Sequence, residues 1–224
     1  MNLSQLPIVD HHAHPLLRKP ATHELANFRS WFTESTATEI HTQYVGESIF
    51  YLTAVRWLAE LLDCEPCEEA VVAARRAQPE TEWVRRLFTD ANIEVLLCDY
   101  GYGSSDAYDH QQMQDLVPCS VEPILRLETM AESLIIEYES FEQMTGAFAD
   151  IVNRARDDGY VALKSIIAYR TGLQIDCVSR ADAVVAFTVL KELARRQGKI
   201  RLAAKPLCDY LVRIALDAAS RQEL

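Results

Sequence analysis

Apolar and polar positions along the chain follow two alternating rhythms. Four short apolar runs, Ile8–Asp10, Ile93–Cys98, Val121–Leu127 and Val161–Tyr169, read as strands. Helical patterns separate them. Ile49–Leu62 (IFYLTAVRWLAELL) carries apolar residues at helical spacing; Glu68–Gln78 and Glu80–Asp90 follow, the second opening after Pro79. Ser140 with Gln143 has the form of a capping box, in which hydroxyl and amide satisfy free N–H groups reciprocally. The helix it opens runs to Asp158 and stops at Gly159. Ser179 with Asp182 marks another start, Gly198 another stop, and Pro206 suits the first turn of a last helix.

Strands alternating with long helical segments predict an α/β fold with a mainly parallel sheet. A doubly wound sheet would carry a glycine-rich phosphate turn, yet none of the seven glycines forms GxGxxG. The other architecture is the TIM (β/α)8 barrel, which needs eight strands and typically ~250 residues. The expectation is therefore a single domain over 1–224 holding about the first four β/α units of such a barrel.

Charge narrows the partners. Lys and Arg number 22 against 33 Asp and Glu, a net charge of −11, which disfavours nucleic acid and anionic membrane surfaces. No apolar run approaches the ~20 residues that cross a bilayer. The opening MNLSQLPIVDHH lacks the basic and apolar regions of a secretory signal. Six scattered cysteines (Cys64, Cys67, Cys98, Cys119, Cys177, Cys208) read as reduced thiols in a cytoplasmic protein rather than a disulfide framework.

The chemistry concentrates at IVDHHAHP (Ile8–Pro15), where three of the six histidines fall within four positions. Side chains alternate along a strand, so Asp10, His12 and His14 share one face while His11 points to the other. Two neutral imidazoles two residues apart can reach one divalent ion. Pro15 follows directly, placing the pair at the strand's C-terminal end, where parallel α/β folds build their sites.

VDHHAHP resembles the first-strand signature of the metal-dependent amidohydrolase superfamily. IEVLLCDYGY (Ile93–Tyr102), EPILRLETMAESLI (Glu122–Ile135) and GYVALKSIIAYRTGL (Gly159–Leu173) are similar to its amidohydrolase-related branch, which includes domains fused to glutamine synthetase-like domains. The resemblance implies a barrel holding one or two divalent ions, zinc first, with manganese, iron or nickel as alternatives. His12 and His14 match two of the ligands. A metal-activated water would then cleave a C–N, amide-type bond of a small-molecule substrate; decarboxylation is the alternative within the superfamily. The sequence departs from the pattern after His110, beyond which it has no histidine to match the later-strand ligands. The expectation is an N-terminal fragment, either an incomplete enzyme or an inactive half that self-associates or pairs with a complementary C-terminal half.

Other residues carry expectations too. Lys164 is the catalytic candidate: some relatives carry a carboxylated lysine on the fourth strand, an ammonium would hold a substrate carboxylate or a metal-bound oxygen, and a structural ion pair is the remaining reading. Tyr169 and Arg170 follow it as substrate-binding candidates, Arg170 through its planar fork. Asp99 ends the second strand before Tyr100-Gly101-Tyr102-Gly103, a substrate-facing loop or a plain turn. Arg126 and Glu128, two apart on the third strand, read as salt-bridging residues. Cys64 and Cys67 have the spacing of half a zinc site but no second pair. His23, His41 and His110 read as solvated.

Overall fold

The computed structural model describes residues 6–18, 24–102 and 105–224. Its sheet comprises β1 (Ile8–Ala13), β2 (Ile93–Asp99), β3 (Ser120–Arg126) and β4 (Ala162–Lys164), in the order β1-β2-β3-β4. β3 and β4 run parallel, with Ile124 opposite Ala162, Leu125 opposite Leu163 and Arg126 opposite Lys164. Between β1 and β2 lie α1 (Leu25–Phe28), α2 (Ile49–Leu62), α3 (Glu68–Arg76) and α4 (Glu80–Asp90). α5 (His110–Leu116) precedes β3, and α6 (Leu127–Glu137) and α7 (Phe141–Asn153) precede β4. Then follow α8 (Arg180–Gln197) and α9 (Lys205–Gln222).

The α/β class holds, but the TIM-barrel expectation is overturned. Among the described residues there is one open four-stranded sheet with β1 and β4 at its edges. Closure needs strand number, tilt and stagger that bring the last strand back to the first. Four strands in simple sequential order leave both edges unpaired.

Local chemistry sets the helix ends. The Ser48 hydroxyl accepts the Tyr51 N–H at 3.2 Å to open α2, and Asp63 closes it in the left-handed region at φ 54°. Ser140 and Ser179 cap α7 and α8 in the same way, accepting from Gln143 and Asp182. Gly198, at φ 69°, ends α8 as its sequence position predicts. α5 has no counterpart in the apolar pattern. A complete capping box specifies it: Asp109 accepts the Gln112 N–H at 2.9 Å and Gln112 accepts the Asp109 N–H at 3.1 Å.

The run Val161–Tyr169 does not form one strand. β4 stops at Lys164, and Ile167–Tyr169 make a 3-10 turn. Glu128 supplies the reason. It opens α6 rather than extending β3, and its buried carboxylate accepts the Ser165 hydroxyl at 2.5 Å and the Ile166 N–H at 3.0 Å. The Ile166 N–H is thereby taken away from ladder pairing.

The described residues fall into two compact units. In the unit spanning Leu16–Glu94 and Ser105–Ser120, Tyr51, Val55, Ala59 and Leu62 line the inner face of α2 and pack with Phe28, Val71 and Trp83. A half-buried clamp fixes that face: Arg29 donates to both Glu68 oxygens at 2.8 and 2.9 Å, and the Tyr51 hydroxyl donates to Glu68. The unit spanning Val9–Pro15, Val95–Ser104 and Val121–Leu224 holds the C-terminal strand ends. Its core joins Leu125 and Ile167 to Phe148, Leu190 and Leu211 on the helices. Among the described residues no helix is long and apolar enough to cross a membrane.

Candidate metal centre

β1 carries His12 near its end and His14 just beyond it, with ring centroids 5.0 Å apart. Asp99, the last residue of β2, faces them from the neighbouring strand. One ligand atom from each of His12, His14 and Asp99 lies within 4.8 Å of the others; no second such group of three exists among the described residues. The strand order makes this arrangement: β1 and β2 are adjacent, so their C-terminal residues meet although 85 positions separate His14 from Asp99.

Proton positions follow from the partners. His14 Nδ1 lies 3.2 Å from the Asp99 carbonyl oxygen, which only accepts, so Nδ1 carries the proton and Nε2 keeps a lone pair. His12 Nε2 lies 3.6 Å from Asp99 Oδ2, beyond hydrogen-bond reach, and is buried without a partner. Burial lowers the His12 pKa from its ordinary 6.5, and the nearby Lys164 ammonium adds to that, while the Asp99 carboxylate opposes both. A neutral imidazole with an orphaned, buried nitrogen is what a divalent ion requires. The three side chains therefore fit a metal.

Asp99 is fully buried and held from two sides. Arg126 donates to Oδ2 through Nε at 2.8 Å and Nη2 at 2.5 Å, and the Gly101 N–H donates to Oδ1 at 2.9 Å. A carboxylate has about four acceptor positions; these bonds take three. Gly101 is sterically required: a Cβ there would sit 2.6 Å from the Arg126 Cβ. The Tyr102 ring lies 4.8 Å from the His14 ring and 5.4 Å from the Arg126 guanidinium. Lys164, opposite Arg126 in the register, completes a row of His12, Asp99, Arg126 and Lys164 across the strand ends.

The other candidates fall elsewhere. Tyr169 is exposed on the turn after β4. Arg170 pairs with Glu132 at 3.2 Å, its side chain nine-tenths buried and its Nε and Nη1 without partners. Arg126 is salt-bridged as the sequence predicts, but to Asp99, while Glu128 clamps the segment after β4. Cys64 and Cys67 are free thiols between α2 and α3. His41 Nε2 bonds the Ser35 carbonyl at 2.6 Å, His110 begins α5, and His23 lies outside the described residues.

No family model matches the chain. The crystal structure of a protein from Lactobacillus casei ATCC 334, provisionally described as a metal-dependent hydrolase, superposes with a TM-score of 0.81 at 27% identity. The chain shares that protein's fold. The match covers 99% of this chain and 57% of that one. Protein fluG of Emericella nidulans is 24% identical over 240 residues, 94% of this chain and 27% of that protein. The chain thus spans about a quarter of the curated relative and somewhat over half of the structural one.

Proposed function

We propose that the chain is the metal-binding part of a hydrolase that cleaves a C–N, amide-type bond in a small molecule. The observation that carries this reading is the orphaned His12 Nε2, buried beside Asp99 and His14 at the C-terminal strand ends. The Lactobacillus protein, a metal-dependent hydrolase by its description, supports the hydrolase part. His12, His14 and Asp99 would hold a divalent ion, zinc first among the choices because two imidazoles and a carboxylate suit it. A bound ion of this kind polarises a carbonyl and makes a water more acidic.

The chain's own groups have distinct tasks. His14 is oriented by the Asp99 carbonyl, and burial shifts His12 towards its neutral form. Arg126 and Gly101 hold the Asp99 carboxylate in place. Tyr102, exposed beside His14, is placed to contact a substrate. By analogy with the glutamine synthetase-linked branch that GYVALKSIIAYRTGL resembles, the substrate type is a glutamyl or an amide compound. The test is release of glutamate and of ammonia or the free amine from a panel of primary and substituted γ-glutamyl amides by protein reconstituted with zinc or manganese. Release that chelator abolishes and metal restores is expected. A chain that binds no metal and gives no metal-dependent release would overturn the proposal.

A further inference from the structure

We propose that the substrate of this centre bears a carboxylate, and that the Lys164 ammonium receives it. The inference deepens the hydrolase reading by naming the substrate class of the same site. It starts from the row across the strand ends. Register places Lys164 beside Arg126, and neighbours in a parallel register point to the same face of the sheet. Leu163 packs into the helical core, so Lys164 turns to the opposite face. Two strands, β2 and β3, lie between it and His12 on β1.

Each other charge in the row is spent. Asp99 and Arg126 neutralise one another. Among the described residues Lys164 has no carboxylate partner, although it is half-buried. The row therefore carries a net positive charge before any metal ion adds two more, within a chain whose total is −11. An isolated cationic patch on an acidic protein focuses anions to one place. A single ammonium is a point charge suited to one carboxylate. A phosphate would call on several donors, and the neighbouring guanidinium is already committed to Asp99.

The experiment is an isothermal calorimetric titration of the full chain with glutarate, glutaramide and inorganic phosphate, each with and without zinc. Wild type, Lys164→Gln and Lys164→Arg are compared. The expected result is that glutarate binds more tightly than glutaramide or phosphate. Lys164→Gln should weaken glutarate about tenfold, the scale of one charge-assisted hydrogen bond. Lys164→Arg should retain it within about threefold, since the charge is kept. Equal binding of glutarate and glutaramide, phosphate binding tighter than glutarate, or no change in Lys164→Gln would overturn the proposal. A carbamate carbon signal from labelled bicarbonate that disappears in Lys164→Arg would also overturn it, because Lys164 would then carry its own carboxylate. The two readings fail separately. Lys164-dependent glutarate binding in a chain that takes up no zinc removes the metal and leaves the carboxylate site. Zinc uptake with glutarate indifferent to Lys164 does the reverse.

Discussion

Replacing Arg126 by methionine tests the energetics of the centre without touching a candidate ligand. The side chains are similar in length, so the main loss is electrostatic. Asp99 has no exposure and Arg126 has 7% at the side chain. The variant strips two donors from Oδ2 and leaves the Gly101 N–H on Oδ1. Removing one partner of a buried pair costs about 3–5 kcal/mol, because a charge is stranded. The surviving backbone bond places the expectation near the lower end, at about 3 kcal/mol. With a urea dependence of about 1–3 kcal/mol/M, the unfolding midpoint should fall by at least about 1 M. In Asp99→Leu/Arg126→Met no charge is stranded, so more than half of the stability should return. A single-variant loss under about 1 kcal/mol, or a double variant no better than the single, would refute the reasoning.

Gly101→Ala should lower stability by about 1–3 kcal/mol by overpacking against Arg126, and should weaken zinc uptake through Asp99; calorimetry reads both. Ser48→Ala should cost about 1 kcal/mol through loss of the α2 cap, measured by urea unfolding. In thiol titration Cys67 and Cys177 should react at once. Cys208, buried and with its pKa pushed up to about 11, should react only on unfolding. The His12 imidazole should titrate below 6.5 by NMR in metal-free protein, and Lys164→Gln should raise its midpoint. The folded chain then binds fewer protons at His12 than the unfolded chain. This group's contribution is therefore present above 6.5 and is lost as pH falls through the lowered value.

The fold was legible where local signals are strong. Ser140, Ser179 and Gly198 mark helix ends because side-chain caps and left-handed glycines act over three or four residues. The short polar helix at His110–Leu116 has too weak a periodicity to register, and only its Asp109–Gln112 box betrays it. The end of β4 was hidden for another reason. Ser165–Tyr169 look like strand, but the buried Glu128 carboxylate, 37 positions away from Ser165, diverts them. The barrel expectation went beyond the strands visible in the pattern; the four strands form an open sheet.

At the centre, His12 and His14 were readable because two residues on one strand make the pair. Asp99 reads from the sequence as a strand end before a substrate-facing loop, and its place beside the histidines comes from strand order. One signal was available: Asp99 and Arg126 each stand next to the end of an apolar run. In an ordered parallel sheet those ends become neighbours. The Gly101 requirement, set by a contact with Arg126, had no local signal.

Metal content by mass spectrometry of the purified chain, wild type beside His12→Ala/His14→Ala, tests the central claim most directly. The account predicts close to one zinc-type ion per wild-type chain after reconstitution and dialysis, and loss of that ion in the double variant with the fold intact by circular dichroism. Equal metal in both proteins, or none in either, would contradict it.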